Sequence, residues 1–156
     1  MSAGVFAVPD LRRYLAGRWT VRRSIADRAR GTSGSFDGDA TFEPDGDDLR
    51  YRETGRLLLE AYEGEAFRAY RYVFPAPTRA IVCFEDGSAF HELDLSQGQW
   101  EATHACGPDR YEGRFTVTNA DAWQAVWRVQ GPRKDHVLAT NYTRVRGPVP
   151  RSKSVR

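Results

Sequence analysis

Between positions 91 and 111 the sequence sets His91, His104, Cys106 and Tyr111 into a run of alternating apolar and polar residues. Imidazole, thiol and phenol are side chains that move protons or bind metals, so their relative placement decides what this stretch can do. With Gln97-Gly98 as a two-residue hairpin turn, Leu95 faces Trp100, Leu93 faces Ala102, and His91 faces His104. Directly opposed residues on one sheet face have Cβ atoms about 5 Å apart, close enough for two imidazoles to share a proton, a metal or one ligand. The turn at Asp86-Gly87 sets Val82 opposite His91. A turn centred between Pro108 and Asp109 sets Cys106 opposite Tyr111, and His104 opposite Gly113, which leaves open volume above the ring. The expected inward patch is therefore His91, His104, Cys106 and Tyr111, with Asp109 in the adjoining turn.

Such a patch has three readings: a structural pair of interior histidines hydrogen-bonded to tyrosine or water, a contact surface for a ligand, or a His₂Cys metal set. Acid/base catalysis by the His91/His104 pair with Tyr111 is a variant of the second. Nucleophilic catalysis has little support. Cys106 lies about 7 Å from His104 along one strand face, beyond direct hydrogen bonding. No nucleophile elbow, P-loop or paired-Cys zinc motif occurs in the chain. Further interior polar candidates are Glu53, on one face with Leu49 and Tyr51, and Arg71, on one face with Phe67, Ala69 and Val73. Either one could hold the polar end of a ligand, since buried charges need partners, or the two could pair with each other or simply stand exposed. Trp100 and Trp127 join the expected ligand-binding set. Lys134 stands in a turn at one mouth.

These residues must be held by strands. After a short helical segment, Asp10 to Ala16 with Gly17 as C-cap, the hydrophobic period becomes two: Trp19, Val21, Ile25; then Leu49, Tyr51; later Trp123, Ala125, Trp127, Val129. About ten strands follow, separated by short Gly, Pro, Asp or Asn turns. Even spacing without a long crossover favours an all-β fold, a single antiparallel up-and-down β-barrel with a short N-terminal helix at one end, because closure removes exposed edges. Residues 1–146 are expected to form this domain, and 147–156 a disordered basic tail.

Composition sets the class around that core. The 156 residues are 40% hydrophobic, enough for one domain that buries roughly 70% of its unfolded surface without staples. The 23 basic and 21 acidic side chains are well mixed, which argues against a nucleic-acid partner. No apolar stretch approaches a membrane span, and the first residues lack the pattern of an export signal. Cys83 and Cys106 are too few for a disulfide framework and are read as reduced thiols of a cytoplasmic protein. The oligomeric state is open, a homodimer being one option.

The start of the first strand, Ala16-Gly17-Arg18-Trp19, with Arg144 in the last strand, resembles the lipocalin and wider calycin pattern. The resemblance implies that Trp19 plugs the closed end of the barrel and that Arg144 packs over its indole. The whole chain is similar to an uncharacterised group of bacterial lipocalin-like domains, through Phe90-His91-Glu92-Leu93, the His104 to Tyr111 segment, and Gly131-Pro132-Arg133-Lys134-Asp135. A lidless barrel of this kind also resembles the haem-binding nitrobindin type more distantly, which would make His136 the haem-ligand candidate. Neither metal nor cofactor is expected otherwise. The function these features imply is binding of a small, partly apolar ligand inside the barrel, with an isomerase, cyclase or lyase activity, or haem or metal binding, as the alternatives.

Overall fold

The computed structural model of the chain describes residues 6–146. The expected basic tail, 147–156, lies outside the described residues. One short helix, α1 (Leu11–Leu15), precedes ten strands: β1 (Gly17–Asp27), β2 (Thr32–Asp45), β3 (Asp48–Leu59), β4 (Tyr62–Ala76), β5 (Arg79–Cys83), β6 (Ala89–Asp94), β7 (Gln99–Cys106), β8 (Asp109–Asn119), β9 (Ala122–Gln130) and β10 (Asp135–Arg144). Each neighbouring pair in the sheet is antiparallel, and the order β6-β5-β4-β3-β2-β1-β10-β9-β8-β7 wraps into a nearly closed barrel. The expected up-and-down barrel is thus the observed fold. It differs from a fully closed one at a single seam, between β6 and β7.

Alternation along each strand produces the two faces. On β1, Trp19 and Val21 are buried while Arg22 and Ser24 face water. Trp19, Phe42, Leu49, Leu93, Leu95 and Val117 fill one half of the interior. Full burial of a large apolar side chain stabilises by roughly 1.5–3 kcal/mol, so this half carries much of the folding energy.

The same half is capped by α1. Asp10 accepts a hydrogen bond from the Arg13 backbone N–H at its N-terminus, and Leu11 and Leu15 are fully buried against the barrel end. Ala16 rather than Gly17 is the C-cap; Gly17, at φ +121°, instead starts β1 in a conformation few L-residues adopt. The Trp19 indole N–H donates to the Leu15 carbonyl at 2.9 Å, and the Arg144 guanidinium lies 4.3 Å from the indole centroid. Arg144 also donates to the Tyr14 and Ala120 carbonyls and pairs with Asp121 at 3.2 Å. One side chain thereby ties the helix, the β8–β9 region and the last strand together. Burial pushes the Tyr14 phenol up to about 12, the nearby Arg144 charge opposing the shift only in part, so it stays a donor to the Asn119 carbonyl.

The opposite end is open. The β1–β2, β3–β4, β5–β6, β7–β8 and β9–β10 turns surround it.

Candidate functional site

Two adjacent chambers lie within the barrel toward its open end. The inner one, about 240 Å³, is walled mainly by aromatic rings: Tyr51, Tyr70, Tyr72, Phe90, Tyr111, Phe115, Trp123, Trp127 and Tyr142. The outer one, about 390 Å³, is lined by Ile25, Phe36, Leu57, Leu59 and Phe67, with charged residues at its rim. Arg23, Arg68, His136 and Leu138 belong to both and stand between them.

A charged network lies at that boundary. Arg23, on the apolar parity of β1, reaches Glu53 on β3 with two parallel bonds of 2.6 and 3.0 Å, and its Nε donates to the Thr140 hydroxyl at 2.8 Å. Tyr51 donates its hydroxyl proton to Glu53, and so must accept from Tyr142, whose hydroxyl is 3.3 Å away. Burial alone would raise the Glu53 pKa. The hydrogen bonds and charge of Arg23, aided by Arg68 and Tyr51, outweigh it and hold the carboxyl below its ordinary range. The Tyr51 phenol is driven well above 10, first by burial and then by the charges and hydroxyls around it. Both groups therefore keep one protonation state near neutral pH.

His91 is inward and 8% exposed. Its Nδ1 lies 2.7 Å from the Glu92 carbonyl oxygen, which can only accept, so Nδ1 carries the proton. Burial lowers its pKa to about 4, the Glu92 bond opposing the shift and His104 adding to it. The neutral ring then presents Nε2 as a bare acceptor, with no protein partner among the described residues.

The two histidines do not form the expected cross-strand pair. β6 and β7 are the two ends of the sheet, linked by a tight turn in which Gly98 N–H donates to the Leu95 carbonyl, but without a ladder between them. A β-bulge between Val82 and Cys83 also alters β6 next to His91. Val82 pairs with His91 as expected, but Cys83 pairs with Ala89, so Phe90 is the extra residue and turns inward beside His91. The Phe90 ring packs edge-on to both imidazoles, with centroids 4.8 Å from His91 and 5.2 Å from His104. The Trp100 indole N–H takes the Glu92 carbonyl at 2.8 Å, covering part of the seam from outside the chamber.

Other candidates move as well. Gly107-Pro108 form the β7–β8 turn, with Gly107 at φ +60°, so His104 pairs with Tyr111 and Cys106 with Asp109. Cys106 is exposed at the open rim and belongs to no inward patch. Gly113 pairs with Trp127, whose indole fills the volume expected above His104. Arg71 faces outward and binds Asp45 and Asp48 at 2.8 and 3.1 Å, because the inward parity of β4 belongs to Arg68, Tyr70 and Tyr72. Glu53 therefore pairs with Arg23 and not with Arg71. Tyr111 and Trp127 line the inner chamber, whereas His104 stands behind Phe90.

Lys134 bridges to Asp109 at 3.1 Å, and His136 Nε2 lies 3.6 Å from Asp27. Among the described residues, no three His, Cys, Asp or Glu side chains converge to hold a metal ion. His136, the haem-ligand candidate, lines both chambers. No described helix is long and apolar enough to cross a membrane.

Together, the ten-stranded antiparallel wrap and its aromatic chamber define a lipocalin-like β-barrel. The chain belongs to DUF6314, a family of unknown function, which matches residues 15–144. No curated protein matches it. Two solved structures share the fold. The S-type phycobiliprotein lyase CPES from Guillardia theta aligns over 94% of this chain and 97% of its own, at 9% identity and a TM-score of 0.65. A protein of unknown function from the DUF3598 family of Nostoc punctiforme aligns over 93% of this chain and 52% of its own, at 10% identity and a TM-score of 0.67.

Proposed function

We propose that this barrel binds a small, partly apolar ligand in the inner chamber, with the aromatic walls burying its body and His91 and Tyr111 orienting a polar edge. The observation that carries this reading is the chamber itself: an interior space of about 240 Å³, walled by aromatic rings and also lined by polar side chains such as Arg68, His91 and Thr140. Packed barrels without ligands fill such space with side chains. An acid/base enzyme built on the same residues is less favoured. A histidine with a pKa of about 4 is mostly neutral at neutral pH and binds the abstracted proton weakly, so it accepts hydrogen bonds better than it catalyses proton transfer.

Titration with N-phenyl-1-naphthylamine, a neutral dye that brightens in apolar surroundings, tests the reading. The expected result is saturable binding of one dye per chain, weakened at least tenfold by Val129→Phe, which narrows the chamber from its wall. Absence of binding, or equal binding by the folded variant, contradicts it.

A further inference from the structure

Arg23 and Arg68 share a single carboxylate. Glu53 spends both oxygens on Arg23 and accepts the Tyr51 hydroxyl as well. Arg68 Nε stands 3.8 Å from Glu53 Oε2, too far for a hydrogen bond, and none of its N–H groups has a hydrogen-bond partner among the described residues. Two guanidinium charges against one carboxylate leave one positive charge uncompensated, and it sits on the residue whose donors are free.

Its position is equally specific. Arg68 stands between the chambers and lines both, 39% exposed, while no carboxylate lines the inner one. The acids of the outer rim are engaged elsewhere: Glu60 with Arg30 at 3.2 Å, Asp27 with His136.

We infer that Arg68 anchors an anionic group, and that the ligand is a small aromatic acid whose carboxylate meets Arg68 while its ring system enters the inner chamber. This rests on the ligand-binding reading above. The planar fork of arginine matches a carboxylate with two parallel hydrogen bonds, and the aromatic walls match a flat ring system of one or two rings in size.

Calorimetric titration of the full chain with 2-naphthoate and with 2-naphthamide at low ionic strength separates charge from shape. Naphthoate is expected to bind about tenfold tighter or more, with an affinity that falls as salt is added while that of the amide does not. In Arg68→Gln the ratio of the two affinities falls to about one, and Arg68→Lys keeps part of it. Equal binding of acid and amide by the unaltered protein, or an undiminished ratio in Arg68→Gln, overturns the inference and leaves the chamber a neutral-ligand site. Binding of neither compound overturns it together with the ligand-binding reading.

Discussion

Trp127 lies over Gly113, its cross-strand neighbour, so closely that a Cβ on the glycine would sit 2.7 Å from the indole. The missing side chain lets the large ring settle against the backbone of β8 and leave the chamber open beyond it. Gly113→Ala pushes the ring inward. Urea denaturation is expected to show a loss of about 1–3 kcal/mol, the usual range for overpacking, together with weaker dye binding. Unchanged stability and binding would show that the ring has slack.

The Arg23–Glu53 pair is a second constraint. Removing one partner strands a buried charge, so Glu53→Gln is expected to destabilise by about 3–5 kcal/mol, whereas Arg23→Met combined with Glu53→Leu recovers most of that loss. The carboxyl pKa is lowered in the fold, so its contribution is present above the unfolded value and is lost as pH falls through the folded one. A double-mutant cycle in urea at neutral pH measures the coupling.

His91 titrates with the opposite chemistry but the same direction of effect. Its pKa falls from 6.5 to about 4 on folding, so the unfolded chain binds more protons between those values. Stability is full above pH 6.5 and declines on acidification, by an amount on the order of 3 kcal/mol at pH 4. Urea midpoints from pH 7.5 to 4.5 should show this slope, and His91→Gln should flatten it. An equal slope in the variant would assign the acid sensitivity to other groups.

Arg144 contributes through its shape. Its guanidinium covers Trp19 while its N–H groups serve the carbonyls of Tyr14, Ala16 and Ala120 together with Asp121. Arg144→Lys keeps the charge but not the fork, so it is expected to lose about 1–3 kcal/mol, most of what Arg144→Ala loses. Thermal melts of the two variants check this. A lysine variant as stable as the parent would reduce the contact to simple charge.

Much of the fold was legible because period-two alternation and turn residues are local. Trp123, Ala125 and Trp127 alternate, and Asp86-Gly87 gave the right register for Val82 and His91. The site was less legible because it depends on two departures from regular strands. The bulge turns Phe90 inward beside His91, and the missing β6–β7 ladder leaves the histidines unpaired; no alternation pattern announces either. The β7–β8 turn falls at Gly107-Pro108, one residue earlier than its composition suggested, which carries Cys106 to the rim. Arg23 did leave a signal. It occupies the same parity as Trp19 and Val21, where an arginine must find a buried acid, and Glu53 sits at the matching parity of β3. Arg68 left a similar one beside Tyr70 and Tyr72, and Glu53 is its direct cross-strand neighbour.

The central claim is that the inner chamber takes the ligand, and the four tryptophan indole N–H signals of the ¹⁵N-labelled protein report on it separately. Trp123 and Trp127 line the chamber, whereas Trp19 is held by Leu15 beneath α1 and Trp100 by Glu92 at the seam. Titration with 2-naphthamide is predicted to shift the Trp123 and Trp127 signals strongly and to leave those of Trp19 and Trp100 nearly in place. Shifts confined to Trp100, or none at all, would contradict binding inside the barrel.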